Sequence, residues 1–263
     1  MMTKDLSPMD KAKFVAARRA VDFIESGMTI GLGTGSTAAW MVRCLGERMR
    51  EEGLRIRGVP TSVRTARLAR EAGIEVITLD EARWLDLTID GTDEFDAGFS
   101  LIKGGGGALL HEKIVATASD RMIVIADVSK QVETLGAFPL PVEVIPFGWQ
   151  TTRALIEETL VSMDVLGRET ALRLDGDKPF VTDEGNRIID LHLKRIGNPR
   201  RLSLVLNQIP GVVENGLFID ICDAVVTGYG DGRVEVRDIA EGLVEEGRIE
   251  IPEGDNLFSD LSD

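Results

Sequence analysis

The chain has 263 residues, of which 43% are apolar and 28% are charged, and its net charge is −14. This composition is typical of a globular protein with one large core or two modest ones, and its apolar stretches of about half a dozen residues are too short to span a membrane. The acidic balance provides no basic stripe, which argues against DNA or RNA as a partner.

The first half of the chain alternates predicted helices and strands. In chain order, the pattern predicts a helix over 7–25, a strand over 28–33, a helix over 37–53, a strand over 55–60, a helix over 62–73, strands over 75–79 and 85–90, a helix over 107–119 and a strand over 121–127. This order predicts a mostly parallel, doubly wound (Rossmann-like) α/β sheet that is covered on both faces. Ligands of such sheets bind at the carboxyl ends of the strands.

The pattern changes after residue 136. A strand over 139–146, a helix over 149–163, strands over 171–176 and 186–193, a helix over 200–211 and a strand over 212–219 follow in that order. This is the split βαβ order of a small α+β (ferredoxin-like) domain. The last predicted element is a hairpin over 224–238, which we expect to return to the first sheet.

We therefore expect two domains and an extension. Residues 1–135, completed by 219–239, form the Rossmann-like catalytic domain, and residues 136–218 form the smaller one. The remaining segment, 240–263, has eight acidic residues and a single arginine. We expect this acidic extension to be mobile or loosely docked and mainly solvated, the alternative being that its sparse Ile, Leu and Phe residues pack on a neighbour.

The N-terminus and the cysteines indicate the compartment. The segment MMTKDLSPMDKAKF has no apolar signal core, so we expect a cytoplasmic protein. Cys44 and Cys222 are too few and too far apart for a disulfide framework or a structural zinc site, and we expect both to be small apolar packing residues.

A glycine-rich turn, GLGTGSTAAW over 31–40, joins a predicted strand to a predicted helix. The helix N-terminus presents free N–H groups with a partial positive charge, and Thr34, Ser36 and Thr37 add hydroxyl donors, so the turn is an anion site in outline. The dinucleotide pattern G-x-G-x-x-G fails at Ser36, and a compact sugar phosphate therefore fits better than NAD or ATP. The alternative is a tight turn whose hydroxyls cap the helix.

A second motif, IDGTDEFD over 89–96, places Asp90 at the end of a strand and Asp93 three residues later. Two acids that share a buried site repel each other, which raises one of their pKa values into a useful range. The alternative is a solvated acidic turn, whereas the spacing of a calcium loop is not met. Glu94 and Asp96 are expected to be surface charges.

The third motif is KGGGGALLHEKIV over 103–115. Its glycines supply backbone donors ahead of a helix that carries Glu112, and we expect Leu110 and Ile114 to bury this carboxylate partially and to make it a stronger base. His111 and His192 are the two histidines, so a His-rich metal site and histidine-led catalysis are both poorly supported. Carboxylate and lysine are left to carry any acid–base chemistry.

These three motifs, together with ADVSKQVETLGAFPLPVEVIP over 126–146, resemble type A ribose-5-phosphate isomerase in order and spacing. The resemblance covers about residues 10 to 236. It implies interconversion of D-ribose 5-phosphate and D-ribulose 5-phosphate in the non-oxidative pentose phosphate pathway. It also implies that no metal or organic cofactor is used, and that the protein is a homo-oligomer, either a dimer or a tetramer.

The resemblance also implies roles for individual residues. Glu112 matches the catalytic base, and Lys13 matches a lysine on the phosphate side. The other positions that match substrate-binding segments are Thr34, Gly35, Ser36, Thr37, Asp90, Gly91, Thr92, Asp93, Lys103, Gly104, Gly105, Gly106 and Lys130. Two residues depart from the family pattern, since Thr92 and Gly107 replace alanines.

The residues and the resemblance lead to one hypothesis for the mechanism. Glu112 transfers a proton between two neighbouring carbons, Lys103 and the N–H groups of 104–106 stabilise the oxyanion, and Asp90 and Asp93 bind hydroxyls or assist ring opening. Two alternatives of related fold remain: a sugar-phosphate sensor, which would need a DNA-binding segment that this acidic chain lacks, and a coenzyme A transferase with a nucleophilic glutamate.

Overall fold

The computed structural model describes residues 6–251, so the two chain ends, including 252–263 of the predicted extension, lie outside it. The helices are α1 (Pro8–Ala20), α2 (Ser36–Glu52), α3 (Val63–Glu71), α4 (Leu79–Ala82), α5 (Leu109–Thr117), α6 (Trp149–Leu160) and α7 (Pro199–Leu206), with 3₁₀ turns at Val21–Phe23 and Val128–Lys130. The strands are β1 (Thr29–Leu32), β2 (Arg57–Pro60), β3 (Glu75–Val76), β4 (Leu87–Gly91), β5 (Glu94–Phe95), β6 (Leu101–Ile102), β7 (Met122–Asp127), β8 (Leu140–Val144), β9 (Glu169–Leu172), β10 (Leu174–Asp175), β11 (Lys178–Pro179), β12 (Arg187–His192), β13 (Val212–Asn215), β14 (Leu217–Phe218), β15 (Ala224–Gly228), β16 (Arg233–Asp238) and β17 (Gly242–Arg248).

The main sheet has eight strands within the described residues, in the order β17-β16-β15-β7-β4-β1-β2-β3. The strands from β3 to β15 pair in parallel, and β16 and β17 add an antiparallel edge. Every residue of β1, β4 and β7 is buried because apolar clusters cover both faces of the sheet. The predicted α/β class, with its mostly parallel sheet, is confirmed.

The local sequence at the N-terminus of α1 explains where this helix begins. The Ser7 side chain accepts a hydrogen bond from the backbone N–H of Asp10, and Pro8 occupies the first turn. The buried face of α1, which includes Val15 and Ala16, packs against α2 and the neighbouring strands β7 and β15. The first turns of the helix lie beside Gly228, at the carboxyl end of β15.

A second sheet is antiparallel and has the order β13-β8-β12-β9. With α6 and α7, it follows the predicted split βαβ order and encloses a separate apolar cluster around Leu140, Ile156, Ile189 and Leu206. A third, three-stranded sheet, β14-β6-β5, lies where these two regions meet, and β6 leads directly into Lys103.

Three predicted strands differ most from the structure. The strand predicted over 171–176 is divided between β9 and β10, which belong to different sheets. The strand predicted over 75–79 ends at Val76, because Thr78 and Glu81 form a capping box that starts α4. The strand predicted over 212–219 is divided between β13 and β14, which pair with different sheets.

For 242–248 the structure shows a docked segment in place of a mobile one, although most of the side chains described there are exposed. These residues form β17, which pairs with β16 at the sheet edge, and Arg19 of α1 lies 2.5 Å from the Glu245 carboxylate. Beyond β17, Ile249 and Ile251 pack against the main core. The physical reason is that β16 would otherwise leave its backbone hydrogen-bonding groups unpaired at the edge.

Candidate active site

Asp90 lies at the carboxyl end of β4 and joins the first two motifs. Its Oδ1 atom accepts hydrogen bonds from the N–H groups of Thr34, at 3.0 Å, and Gly91, at 2.7 Å. Gly33 makes this approach possible, since a Cβ at that position would lie 2.0 Å from Asp90 Oδ1. The glycine turn and the acidic loop are therefore in direct contact.

Lys103 connects the second motif to the third. Its side chain is 2% exposed, and its Nζ lies 2.5 Å from the carbonyl oxygen of Gly91, 3.0 Å from Asp90 Oδ2 and 3.5 Å from Glu112 Oε2. One buried ammonium therefore lies beside two buried carboxylates and offsets part of their combined negative charge. We refer to Asp90, Lys103 and Glu112 as the buried triad.

Glu112 is in the first turn of α5 and is buried, as we expected, but the expected reason is wrong. Ile114, which we predicted to bury it, is 45% exposed, and Leu110 is half-buried. The carboxylate is buried because α5 packs against β4, which brings Glu112 to Asp90 and Lys103. Its Oε2 receives no hydrogen bond within residues 6–251 and is held there by the ion pair with Lys103, at 3.5 Å.

The charges of the triad set its proton affinities. Burial raises the pKa of Glu112 to about 8, the charge of Asp90 adds to this effect, and Lys103 opposes it. Burial also raises the pKa of Asp90, against the attraction of Lys103. Burial alone would lower the pKa of Lys103, but the two carboxylates outweigh it and the pKa is raised. Lys103 therefore stays charged, while Glu112 can both accept and return a proton near neutral pH.

Asp93 and the glycine run meet at a hydrogen bond that the sequence did not predict. The N–H of Gly105 donates to Asp93 Oδ2 at 2.7 Å, so it already has an acceptor, contrary to its expected role as an oxyanion donor. The N–H groups of Gly104 and Gly106 have no acceptor within the described part of the chain. These two amides are the backbone donors left for a ligand.

Thr92 and Lys103 also have interactions that differ from those expected. The hydroxyl of Thr92, which replaces the family's alanine, donates to the carbonyl groups of Glu94 and Ile102 and so braces the acidic loop. The ammonium of Lys103 faces the three acceptors named above. Lys103 is therefore a counter-charge for the two carboxylates, and its role as an oxyanion donor stays a prediction.

The anion site predicted over 34–37 corresponds to the N-terminus of α2. Gly35 precedes the helix, and Ser36 and Thr37 form its first positions beside the acidic loop. The Thr34 hydroxyl is not free, because it lies within hydrogen-bonding distance of the hydroxyls of three residues that sequence reasoning missed: Thr61, Ser62 and Thr65. Thr34 thus fixes the turn, and Ser36 and Thr37 are left to donate to an anion.

Lys13 and Lys130 are near the same sheet edge but outside the triad. Lys13 Nζ lies 4.0 Å from Asp10 Oδ1 on α1, and Lys130 ends the 3₁₀ turn that follows β7. The first turns of α1 lie beside Gly228 at the carboxyl end of β15, which is parallel to β7. Lys13 therefore approaches this edge from α1, whereas Lys130 approaches it from the end of β7.

Two other charged residues have structural roles that the sequence did not reveal. Glu94, predicted to be a surface charge, is buried and accepts hydrogen bonds from the N–H groups of Gly136, at 2.7 Å, and Phe138, at 2.5 Å. This prediction was wrong because the segment before β8 folds over the acidic loop. Lys113 pairs with Glu214 at 2.9 Å and so attaches α5 to β13.

Within residues 6–251, no group of three or more His, Cys, Asp and Glu side chains has the arrangement of a metal site. In the same residues, no helix is long and apolar enough to cross a membrane. The two cysteines are free and buried, as predicted, and burial raises the pKa of each thiol to about 12.

Comparisons with known proteins agree with this arrangement. The sequence profile of ribose 5-phosphate isomerase A (phosphoriboisomerase A) matches residues 57–232. The ribose-5-phosphate isomerase A of Ruegeria sp. (strain TM1040) is 75% identical over 262 residues, which is 100% of both chains. A D-ribose-5-phosphate isomerase solved in complex with phospho-erythronic acid has a TM-score of 0.79 and 38% identity, over 92% of this chain and 100% of that one. The Plasmodium falciparum ribose 5-phosphate isomerase has a TM-score of 0.81 and 35% identity, over 88% and 99%. The chain therefore belongs to the ribose 5-phosphate isomerase A family.

Proposed function

We propose that this protein interconverts D-ribose 5-phosphate and D-ribulose 5-phosphate through an enediolate, in the non-oxidative pentose phosphate pathway. The observation that carries the proposal is the Glu112 carboxylate, which is buried, lies 3.5 Å from the Lys103 ammonium and has a pKa raised to about 8. Family membership supplies the substrate. An aldose–ketose isomerisation needs a single base of this kind.

In this proposal, Glu112 performs both proton transfers. Its carboxylate removes the proton from C2 of the open-chain aldose, and the electron pair of the C–H bond forms the C1–C2 double bond as the carbonyl oxygen O1 becomes negative. The proton carried by Glu112 then returns to C1, while the hydroxyl proton of O2 moves to O1 and C2 becomes the carbonyl carbon. No atom or electron is gained or lost.

The remaining residues stabilise and orient this reaction. We assign the N–H groups of Gly104 and Gly106 to the developing oxyanion, because neither has a protein acceptor. Asp93, which the Gly105 N–H fixes in place, is assigned to the hydroxyl groups and to proton movement between O1 and O2. Asp90 is buried and is assigned to holding Lys103 and the glycine turn.

The phosphate is assigned to the N-terminus of α2. Ser36 and Thr37 offer N–H and hydroxyl donors there, and Lys13 on α1 and Lys130 after β7 are assigned to supply positive charge. Binding the phosphate several atoms from the reacting carbons anchors the substrate. The phospho-erythronic acid bound by a relative is consistent with such a site, since its carboxylate has the planarity and charge of an enediolate and it also carries a phosphate.

A direct assay tests the proposal. Purified protein is incubated with ribose 5-phosphate, and the formation of ribulose 5-phosphate is followed with and without EDTA. Turnover supports the isomerase, whereas binding without turnover would favour the sensor and transfer of coenzyme A between acids would favour the transferase. Absence of turnover with a folded protein would overturn the proposal.

The assembly and the compartment are also proposals. Family membership supports a homo-oligomer, a dimer or a tetramer, that works in the cytoplasm on a small sugar phosphate. Light scattering coupled to gel filtration determines the assembly, and a monomer at working concentration would contradict it.

Activity is expected to rise with pH through the titration of Glu112. The protonated carboxyl cannot accept a proton, so kcat/KM should increase from about pH 6 to about pH 9, with a midpoint near the pKa of about 8. A pH profile of kcat/KM checks this expectation. An acid limb near the ordinary pKa of a glutamate would contradict it.

The free energy of unfolding is expected to fall as the pH rises, whereas the activity is expected to increase. The pKa of Glu112 is higher in the folded state, about 8, than its ordinary value of 4.5, so the folded protein binds more protons between these values. The stabilisation is complete below pH 4.5 and is lost as the pH rises through 8. Thermal unfolding across this range should show a steeper decline for the wild type than for Glu112→Gln, and Glu133→Gln, which removes an exposed carboxylate, is the control.

Replacing Thr37 tests the phosphate site. Thr37→Ala removes a hydroxyl donor at the N-terminus of α2, and we expect KM for ribose 5-phosphate to rise about tenfold, which corresponds to one lost hydrogen bond to a charged group, with a smaller change in kcat. Thr151→Ala, which changes an exposed threonine in the first turn of α6, is the matched control. An unchanged KM in Thr37→Ala would argue against this site.

A further inference from the structure

Arg173 reaches the glycine run from the second sheet. It follows β9, and its side chain is 14% exposed. Its Nη1 donates hydrogen bonds to the carbonyl oxygens of Gly104, at 2.7 Å, and Gly105, at 3.1 Å. Its Nε and Nη2 donate to the two carboxylate oxygens of Asp190 on β12, at 2.9 and 2.5 Å. The guanidinium fork is thus fixed by one carboxylate and directed at two carbonyls.

The two carbonyls that accept hydrogen bonds from Arg173 belong to the peptide groups that carry the N–H groups of Gly105 and Gly106. The Gly104 carbonyl shares its peptide group with the N–H of Gly105, which donates to Asp93 Oδ2 at 2.7 Å. The Gly105 carbonyl shares its peptide group with the N–H of Gly106, which has no acceptor within residues 6–251. A cation that binds a carbonyl oxygen polarises the N–H on the other side of the same peptide, so that both amides become stronger donors.

Phe180, which follows β11 and donates its N–H to the carbonyl oxygen of Arg173, contacts the same glycine run. Its ring packs on Gly107, where a Cβ would lie 2.4 Å from the ring, and the Arg173 guanidinium lies 5.9 Å from the ring centre. The glycine at 107, in place of the family's alanine, therefore leaves the space that this ring occupies. The loop cannot shift away from Arg173 without moving Phe180.

We propose that Arg173 is a positioning residue for the isomerisation: held by Asp190, it orients and polarises the peptide groups that present the Gly106 N–H and fix Asp93. The proposal rests on the proposed isomerase function. It assigns to Arg173 an effect on the transition state, in addition to its contribution to the folding of the second sheet.

The test compares Arg173→Lys and Arg173→Met with Arg153→Lys. Arg153 is the matched control, because it also joins a helix to β9, through Glu157 and Thr170, but it has no contact with the glycine run. Lysine at 173 keeps the charge but cannot bind Asp190 and both carbonyls at once. If Arg173→Met does not fold, Arg173→Lys carries the test. Folding is checked by circular dichroism and thermal unfolding.

We expect Arg173→Lys to lower kcat by about 10- to 100-fold, as for a misplaced reacting group, while KM stays within about threefold. Because the chemical step becomes slower, the isotope effect with ribose 5-phosphate deuterated at C2 should be equal to or larger than that of the wild type. Arg153→Lys should change neither value. A purely structural role would lower the melting temperature and leave kcat unchanged.

Two outcomes distinguish this proposal from the one on which it depends. If the wild type does not isomerise ribose 5-phosphate, the proposed function fails. If the wild type is active and folded Arg173→Lys keeps its kcat within about threefold, the function stands and the role of Arg173 is overturned.

Discussion

Glu112→Gln is expected to lower kcat for the isomerisation by about 10²- to 10⁴-fold, the contribution of a general base. Glutamine has nearly the same shape as glutamate but cannot accept the proton from C2. The Lys103 ammonium keeps its contacts with Asp90 and Gly91, so the site should remain assembled. Steady-state kinetics with ribose 5-phosphate measure this loss, and the exchange of the C2 hydrogen with deuterated water should be lost in parallel.

Binding measurements separate this effect from misfolding. Glu112→Gln should still bind phospho-erythronic acid by calorimetry, because the phosphate site at α2 lies on a different element. Glu133→Gln, at an exposed position, should have wild-type kinetics. Near-normal turnover in Glu112→Gln would show that another residue is the base.

Lys103→Met is expected to reduce both activity and stability. It leaves Asp90 and Glu112 buried without their common counter-charge, and breaking a buried ion pair in this way lowers the free energy of unfolding by about 3–5 kcal/mol. The acid limb of kcat/KM should move to higher pH, since Lys103 opposes the rise in the pKa of Glu112. At neutral pH, kcat should fall about 10²- to 10³-fold, comparable to the loss of one electrostatic contact at a reacting centre.

Lys113→Met provides the control for a buried lysine on the neighbouring helix. Lys113 pairs with Glu214 and donates to the carbonyl oxygens of Asn215 and Leu217, away from the triad. Its replacement should lower stability without moving the acid limb. Chemical denaturation measures the stability of both variants, and pH profiles of kcat/KM locate their acid limbs. A Lys103→Met enzyme with an unchanged acid limb would contradict the assigned role.

Local patterns were sufficient to predict most of the elements. Ser7 and Pro8 begin α1 where the capping signal predicted, and the strands around Ile89 and Val124 are buried, as their apolar runs indicated. The errors occurred where a distant part of the chain decides the conformation. Strand β17 depends on the free edge of β16, and the burial of Glu94 depends on the segment at 136–138.

The residues of the buried triad were predicted from the sequence, but several of the hydrogen bonds around them were not, for a similar reason. Asp90, Lys103 and Glu112 were identified because carboxylates and a lysine next to glycine runs are unusual at the ends of predicted strands. The sequence did not identify the hydrogen bond from the Gly105 N–H to Asp93 or the hydroxyl cluster around Thr34. The spacing of residues along the chain does not indicate which groups form hydrogen bonds. Arg173, which is 69 residues from Gly104, had no local signal at all.

The sequence by itself determined the family, the order of the two sheets and the residue types at the site, because capping, periodicity and motif spacing are local properties of the chain. Only the tertiary structure decided which carboxylate is desolvated, which amides already have acceptors and which cation fixes the glycine run. Those properties depend on distances between segments that are far apart in the chain, since burial and charge act through space.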